Sequence, residues 1–193
     1  MPRTRVPERT VILVEGASDQ AAVLTLAGRL GRELAGEGVL VAATGGATNI
    51  GRHLERLGPR GLDVRVAGLY DVAEERFVRK GLERAGFGTA SSQNLEALGF
   101  FACTEDLEDE LIRALGVDAV LAVIERRGDM PAFRILRRQP AHRDRSDAQR
   151  LRRFLGTTSG RKVEYAALLV EALDLAALPR PLELLLRATG SGR

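Results

Sequence analysis

Acids stand at three points in this chain where an apolar run gives way to a helical pattern. Glu15 and Asp19 follow Val11-Ile-Leu-Val14. Asp71, Glu74 and Glu75 follow the run that ends at Leu69 and Tyr70, and Glu105, Asp106, Glu108, Asp109 and Glu110 follow Gly99-Phe-Phe-Ala-Cys103. Carboxylate oxygens are hard ligands that suit Mg²⁺ or Mn²⁺, ions that also bind substrate phosphates. A site of this kind can clamp an in-line phosphoryl displacement. The competing reading is that acids at helix starts complement the helix dipole. That reading is weakest for Glu15, which ends an apolar, β-branched strand and is followed at once by Gly16. It is strongest for Glu105, Asp106 and Glu110, which read as solvated charges of a first helical turn.

For these acids to meet, their strands must run parallel, because open parallel sheets keep ligands at the carboxyl ends of their strands. The pattern supplies this. Strands are expected at about 10–15, 39–43, 63–69 and 99–103. Helices are expected at about 18–35 (apolar face Ala21, Val23, Leu24, Leu26, Ala27 and Leu30, ended by Gly36 and Gly38), 48–57, 73–85 and 105–115. Ser18 and Thr104 are the candidate N-caps. Strands alternating with helices predict an α/β fold, a Rossmann-like parallel sheet flanked by helices. From Val117 on the pattern is helical, with breaks at Gly128, Pro131, Pro140, Gly156 and Pro179. The expected organisation is a lead-in at 1–9, a core at 10–116, a mainly helical C-terminal extension at 117–188 packed on that core, and a disordered tail at 189–193.

Composition narrows the partners. Aromatics are 4% of the 193 residues, so base stacking is a poor candidate for recognition. The net charge is only +3, but basic residues cluster late, at Arg126-Arg127, Arg137-Arg138 and from Arg143 to Arg153, where they could line a DNA path or form a solvated helix face. The single Cys103 excludes an internal disulfide and a cysteine-built zinc site, and reads as a core residue. His53 and His142 lack metal-ligand spacing and read as surface residues. With no long apolar run and no signal-peptide core, the expectation is a cytoplasmic protein without membrane contact.

Four motifs in order, Val-Glu-Gly-Ala-Ser-Asp19, Thr44-Gly-Gly-Ala-Thr-Asn-Ile50, a strand ending in Asp71, and Leu107-Glu-Asp-Glu-Leu111, resemble a TOPRIM domain. The similarity is greatest to the nuclease domain of OLD-family (overcoming lysogenization defect) endonucleases, over about residues 10–172. The resemblance implies metal-dependent endonuclease or nickase chemistry on DNA. It carries over Glu15 and Asp71 as catalytic residues and metal ligands, and Asp19 and Glu108, with Asp109 beside it, as further ligands. The second aspartate of the family's Asp-x-Asp motif falls on Ala73, which binds no metal; Glu74 or Glu75 could substitute, with Glu75 taken as the replacement ligand. If neither does, the chain is a catalytically reduced module that binds nucleic acid or a partner ATPase.

Gly45 and Gly46 could let backbone amides approach a phosphate, or could simply form a turn. Arg161 and Lys162, in Thr157-Thr-Ser-Gly-Arg-Lys162 ahead of an apolar helix, match the family's late basic residue. Lys162 could stabilise charge on a transferring phosphate, or be a solvated loop cation. The chain has no Gly-x-x-x-x-Gly-Lys-Ser/Thr loop, so any ATPase would be a separate protein. Whether the helical tail closes the site or makes a homodimer stays open.

Overall fold

The structure is a computed structural model and describes residues 9–156 and 159–190. The lead-in at 1–8, Thr157 and Thr158, and the tail at 191–193 lie outside the described residues. Four strands, β1 (Thr10–Val14), β2 (Val39–Ala43), β3 (Arg65–Asp71) and β4 (Phe100–Cys103), form one all-parallel sheet in the order β2-β1-β3-β4. The expected α/β class is the observed one.

Strand order and helix placement follow from which residues must be buried. Along the sheet, Ile12, Val14, Val41, Ala67, Leu69, Phe101 and Cys103 join one apolar cluster, and Val11, Leu13, Val66, Tyr70 and Phe100 the other. This period-two division, with both faces dry, is why the strands read as continuous apolar runs. At the edge, β2 needs one dry face only, so Val39 and Val41 are buried while Leu40 is 61% exposed. Helix α1 (Ala17–Arg29) covers one face; α2 (Ile50–Leu57) and α3 (Glu75–Ala85) cover the other. The chain changes sides between β1 and β3, which makes their carboxyl ends the switch point of the sheet. A Cβ at position 68 would meet the Leu13 carbonyl oxygen at 2.7 Å and the Phe100 ring at 2.9 Å, so Gly68 is what lets β3 close on its neighbours.

Several element ends differ from expectation for local reasons. Helix α1 stops at Arg29, before Gly36 and Gly38, because Gly31 turns the chain at φ +73°. Its N-cap is Gly16, and Ser18 is buried inside the helix; Leu24 and Leu30, expected on the apolar face, are partly exposed. The acidic helix α4 (Leu107–Leu115) is capped by Asp106, whose carboxylate accepts the Asp109 amide at 2.8 Å, and not by Thr104.

The C-terminal helices are α5 (Val117–Arg127), α6 (Met130–Arg138), α7 (Asp147–Leu155), α8 (Ser159–Ala172) and α9 (Arg180–Ala188). Pro131 opens α6 instead of breaking a helix, in keeping with its missing N–H. Thr189, expected in the tail, closes α9: it is buried and its hydroxyl donates to the Leu185 carbonyl at 3.0 Å. His142, expected at the surface, is buried. Among the described residues no helix is long and apolar enough to cross a membrane.

These helices share the apolar cluster of α1 and are tied to it by charge. Arg29 donates to the Val170 and Leu173 carbonyls at 2.7 and 2.8 Å, and Arg32 to the Leu186 and Thr189 carbonyls at 2.6 and 3.1 Å. Both arginines meet the carbonyl end of a helix, where backbone acceptors lack intrahelical donors and a cation is favoured. Arg29→Ala leaves two carbonyl acceptors without their charged donor, and should lower stability by about 2–3 kcal/mol in urea unfolding. An unchanged midpoint would remove Arg29 as the tie between α1 and α8.

Candidate metal centre

Glu15 directly follows β1, and Asp71 is the last residue of the adjacent β3. A single 3-10 turn, Val72–Glu74, comes next, and α3 starts only at Glu75. In 3-10 geometry residues three apart eclipse, so Glu74 projects on the same side as Asp71 while Ala73 does not. One carboxylate oxygen from each of Glu15, Asp71 and Glu74 lies within 4.8 Å of the others. Glu75, the expected substitute for the missing aspartate, is not in this group. Its carboxylate accepts from the Ser92 hydroxyl and lies 3.6 Å from Arg79. The helical rotation after the turn carries it away from the strand ends.

The loop after β2 fixes Glu15 from the backbone side. The amides of Gly45 and Gly46 donate to the Glu15 carbonyl at 3.1 and 3.2 Å, with φ of +73° and +119° that favour glycine. These amides are therefore spent inside the protein; the expected approach to a phosphate gives way to positioning of the β1 exit. Asp19 faces back on the same exit and accepts the Gly16 amide at 2.9 Å.

Glu108 lies in the first turn of α4 and is 4% exposed. Lys162 Nζ stands 3.2 Å from its Oε2 and places a positive charge against this buried carboxylate. Lys162 belongs to the first turn of α8 and not to a loop before it, so the ion pair offsets a cation near a helix N-terminus. Arg161 points elsewhere: its guanidinium lies over the Phe154 ring at 4.4 Å, with Nε 3.9 Å from Asp129. Asp109, expected beside Glu108 as a ligand, pairs with Arg113 at 3.0 Å along its own helix.

Asp106 is a residue that pattern reading assigned to solvent. Besides capping α4, it accepts from Arg152 Nε at 2.6 Å, and Arg152 also reaches Glu105 at 3.1 Å. Its charge acts on Glu15, Asp19, Asp71 and Glu108. The acidic spacing at 105–110 was visible in sequence; the partner arginine 46 residues away was not.

The electrostatics are those of carboxylates held together without enough positive charge. Burial, then the charges of Glu15, Asp106, Glu74 and Asp19, pushes the Asp71 carboxyl up to about 7. Burial and Glu74, which shares a hydrogen bond with it, raise Glu15, and Lys162 opposes the rise. Burial raises Asp19 against the Gly16 amide, and raises Glu108 against Lys162. Lys162 loses from burial, but the charge of Glu108 and the nearby aspartates outweighs this and strengthens its hold on its proton. Among the described residues, no basic side chain forms an ion pair with Glu15, Asp19, Asp71 or Glu74. Three convergent oxygen donors with excess negative charge fit a hard divalent cation.

Residues 8–72 match the family model described as overcoming lysogenization defect protein-like, TOPRIM domain. That stretch is similar to an OLD-like TOPRIM domain. It contains β1, the glycine loop, β3 and the Glu15–Asp71 pair. Among solved structures, the C-terminal region of the Xanthomonas campestris pv. campestris OLD protein is similar, at 26% identity and a TM-score of 0.68, over 94% of each chain. The C-terminal region of the Burkholderia pseudomallei OLD protein shares the fold at 22% identity and a TM-score of 0.66, over 94% of this chain and 96% of that one. A search of the curated proteins returns no match. The fold likeness thus extends through the helical part, beyond the TOPRIM stretch.

Asp71 binds its proton more tightly in the folded chain than in the unfolded one. The folded state therefore loses stability as pH rises from about 4 through about 7. In EDTA at pH 8, Asp71→Asn should be more stable than the wild type by roughly 1–2 kcal/mol, allowing for solvent screening, and the gap should close near pH 4. A variant that is less stable at pH 8 would contradict the uncompensated-charge description.

Proposed function

We propose that this chain is a metal-dependent nuclease module that hydrolyses phosphodiester bonds of DNA, as an endonuclease or nickase, with Mg²⁺ or Mn²⁺. The observation that carries the reading is the convergence of Glu15, Asp71 and Glu74, which restores three carboxylates where Ala73 removes one. Glu15, Asp71 and Glu74 would hold the ion, with Asp19 and Glu108 bordering the same strand exits. A bound divalent cation supplies Lewis-acid stabilisation of charge on the phosphoryl group.

The chain's own groups do the rest. The proton that Asp71 retains near neutrality has to leave before its carboxylate can act as a ligand, so ion binding should strengthen as pH rises through about 7. Lys162, braced by Glu108, offers N–H donors and a positive charge to a phosphoryl oxygen as negative charge grows there. Gly45 and Gly46 keep the Glu15 backbone from shifting. The alternative, a catalytically reduced module that binds nucleic acid or a separate ATPase, rests on Ala73 alone, and Glu74 weakens it. DNA as the substrate is supported by the family match and by the basic residues beside the acids.

Nicking of supercoiled plasmid in Mn²⁺ tests the reading. Glu15→Ala, Asp71→Ala and Glu74→Ala should each reduce nicking about 100-fold or more, while Glu75→Ala stays near wild type. Loss in Glu75→Ala with retention in Glu74→Ala would reverse the ligand assignment. A wild-type chain that binds DNA but cuts it with no divalent ion would establish the reduced module instead.

A further inference from the structure

The arginine-rich stretch does not act as one surface. Arg134, Arg137 and Arg138 line a pocket with Leu121, Met130 and Phe133, away from the acids. Arg150 is occupied internally, paired with Asp147 at 2.8 Å and donating to the His142 and Arg143 carbonyls. The remaining residues form a stripe. Arg145, Gln149, Arg152, Arg153 and Gly156 recur at three- and four-residue spacing, while Leu151, Phe154 and Leu155 fill the opposite, buried side of α7.

That stripe forms one wall of an open cleft of about 550 Å³. Asp106, Glu108 and Lys162 form its other wall, so the cleft opens beside the acidic centre. The two acids are already engaged: Asp106 by Arg152, and Glu108 by Lys162. Arg145 and Arg153 are exposed, and among the described residues neither has an ion-pair partner. Their charge is felt locally: burial and the surrounding arginines, Arg145 first, disfavour protonation of His142. Four cations against two paired acids leave the cleft positive.

We propose that this cleft binds the sugar–phosphate backbone of a single DNA strand next to the acidic centre, with Arg145 and Arg153 contacting phosphates. The choice of DNA rests on the nuclease reading; the choice of a single strand rests on shape. A volume in the range of small-ligand pockets admits a nucleotide or two of one strand, not the width of a duplex. Among the described residues no aromatic ring lines the cleft and Gln149 is the one uncharged hydrogen-bonding side chain, so binding is carried by phosphates and is indifferent to sequence. Arg152 tethers α7 to Asp106, which holds this wall beside the acids.

The test is fluorescence anisotropy of a labelled single-stranded oligodeoxynucleotide with the full chain in EDTA, where no cleavage interferes. The double variant Arg145→Ala/Arg153→Ala should bind at least about tenfold more weakly, and its log K against log salt slope should fall by about 1.4, near 0.7 for each lost phosphate contact. Arg134→Ala/Arg137→Ala, on the other pocket, should bind as the wild type does. An Arg145/Arg153 variant with wild-type affinity and slope would overturn the inference, as would equally tight binding of a blunt duplex through the same two arginines, or no binding by the wild type. Strand binding lost in this variant, in a wild type that never nicks DNA, would sustain the cleft and refute the nuclease reading. Normal nicking with unchanged binding would do the reverse.

Discussion

Negative charge held at the meeting of β1 and β3 is the constraint on which the rest of this structure depends. A parallel sheet brings the carboxyl ends of its strands to one edge, and this sequence puts Glu15 and Asp71 there with Glu74 one 3-10 turn later. Burial and mutual repulsion make ionisation costly, most clearly at Asp71. Folding tolerates that cost because the strands beneath are dry on both faces and the packing leaves their ends no other place. The cluster is a local opposition to stability of the kind that active sites maintain.

The helical part supplies what the sheet lacks. Arg29 and Arg32 tie the ends of α8 and α9 to the region of α1, and at the other end of α8 Lys162 pairs with Glu108. Arg152 does the same for α7, joining it to Asp106 at the head of α4. Positive groups thus surround the acidic centre without forming ion pairs with its three convergent carboxylates. A divalent cation and an anionic substrate would each meet the complementary charge they need. The likeness to the C-terminal regions of OLD proteins over most of the chain fits this division, with the matched TOPRIM stretch holding two of the three acids and the helices bringing the cations.

Much of this was legible in the residues. Val11 to Gly16 shows a dry strand interrupted by an acid, which marks Glu15 as a strand exit more clearly than any other acid of the chain. The same logic found Asp71. The choice between Glu74 and Glu75 was not legible, because it turns on three residues of 3-10 geometry between β3 and α3 that no periodicity in so short a segment reveals. Gly45 and Gly46 advertised conformational freedom, but not that their amides would be taken by the Glu15 carbonyl. Asp106 looked like any first-turn acid until a partner 46 residues away gave it a second role. Local pattern locates groups at element ends; contacts between distant elements decide which of them act together.

The most direct measurement is a crystal structure of the chain grown with Mn²⁺ and recorded for manganese anomalous scattering. The account predicts an anomalous peak coordinated by carboxylate oxygens of Glu15, Asp71 and Glu74, with Glu75 still held by Ser92 and Arg79. A peak coordinated by Glu75 without Glu74, or full Mn²⁺ occupancy elsewhere with none at these three residues, would contradict it.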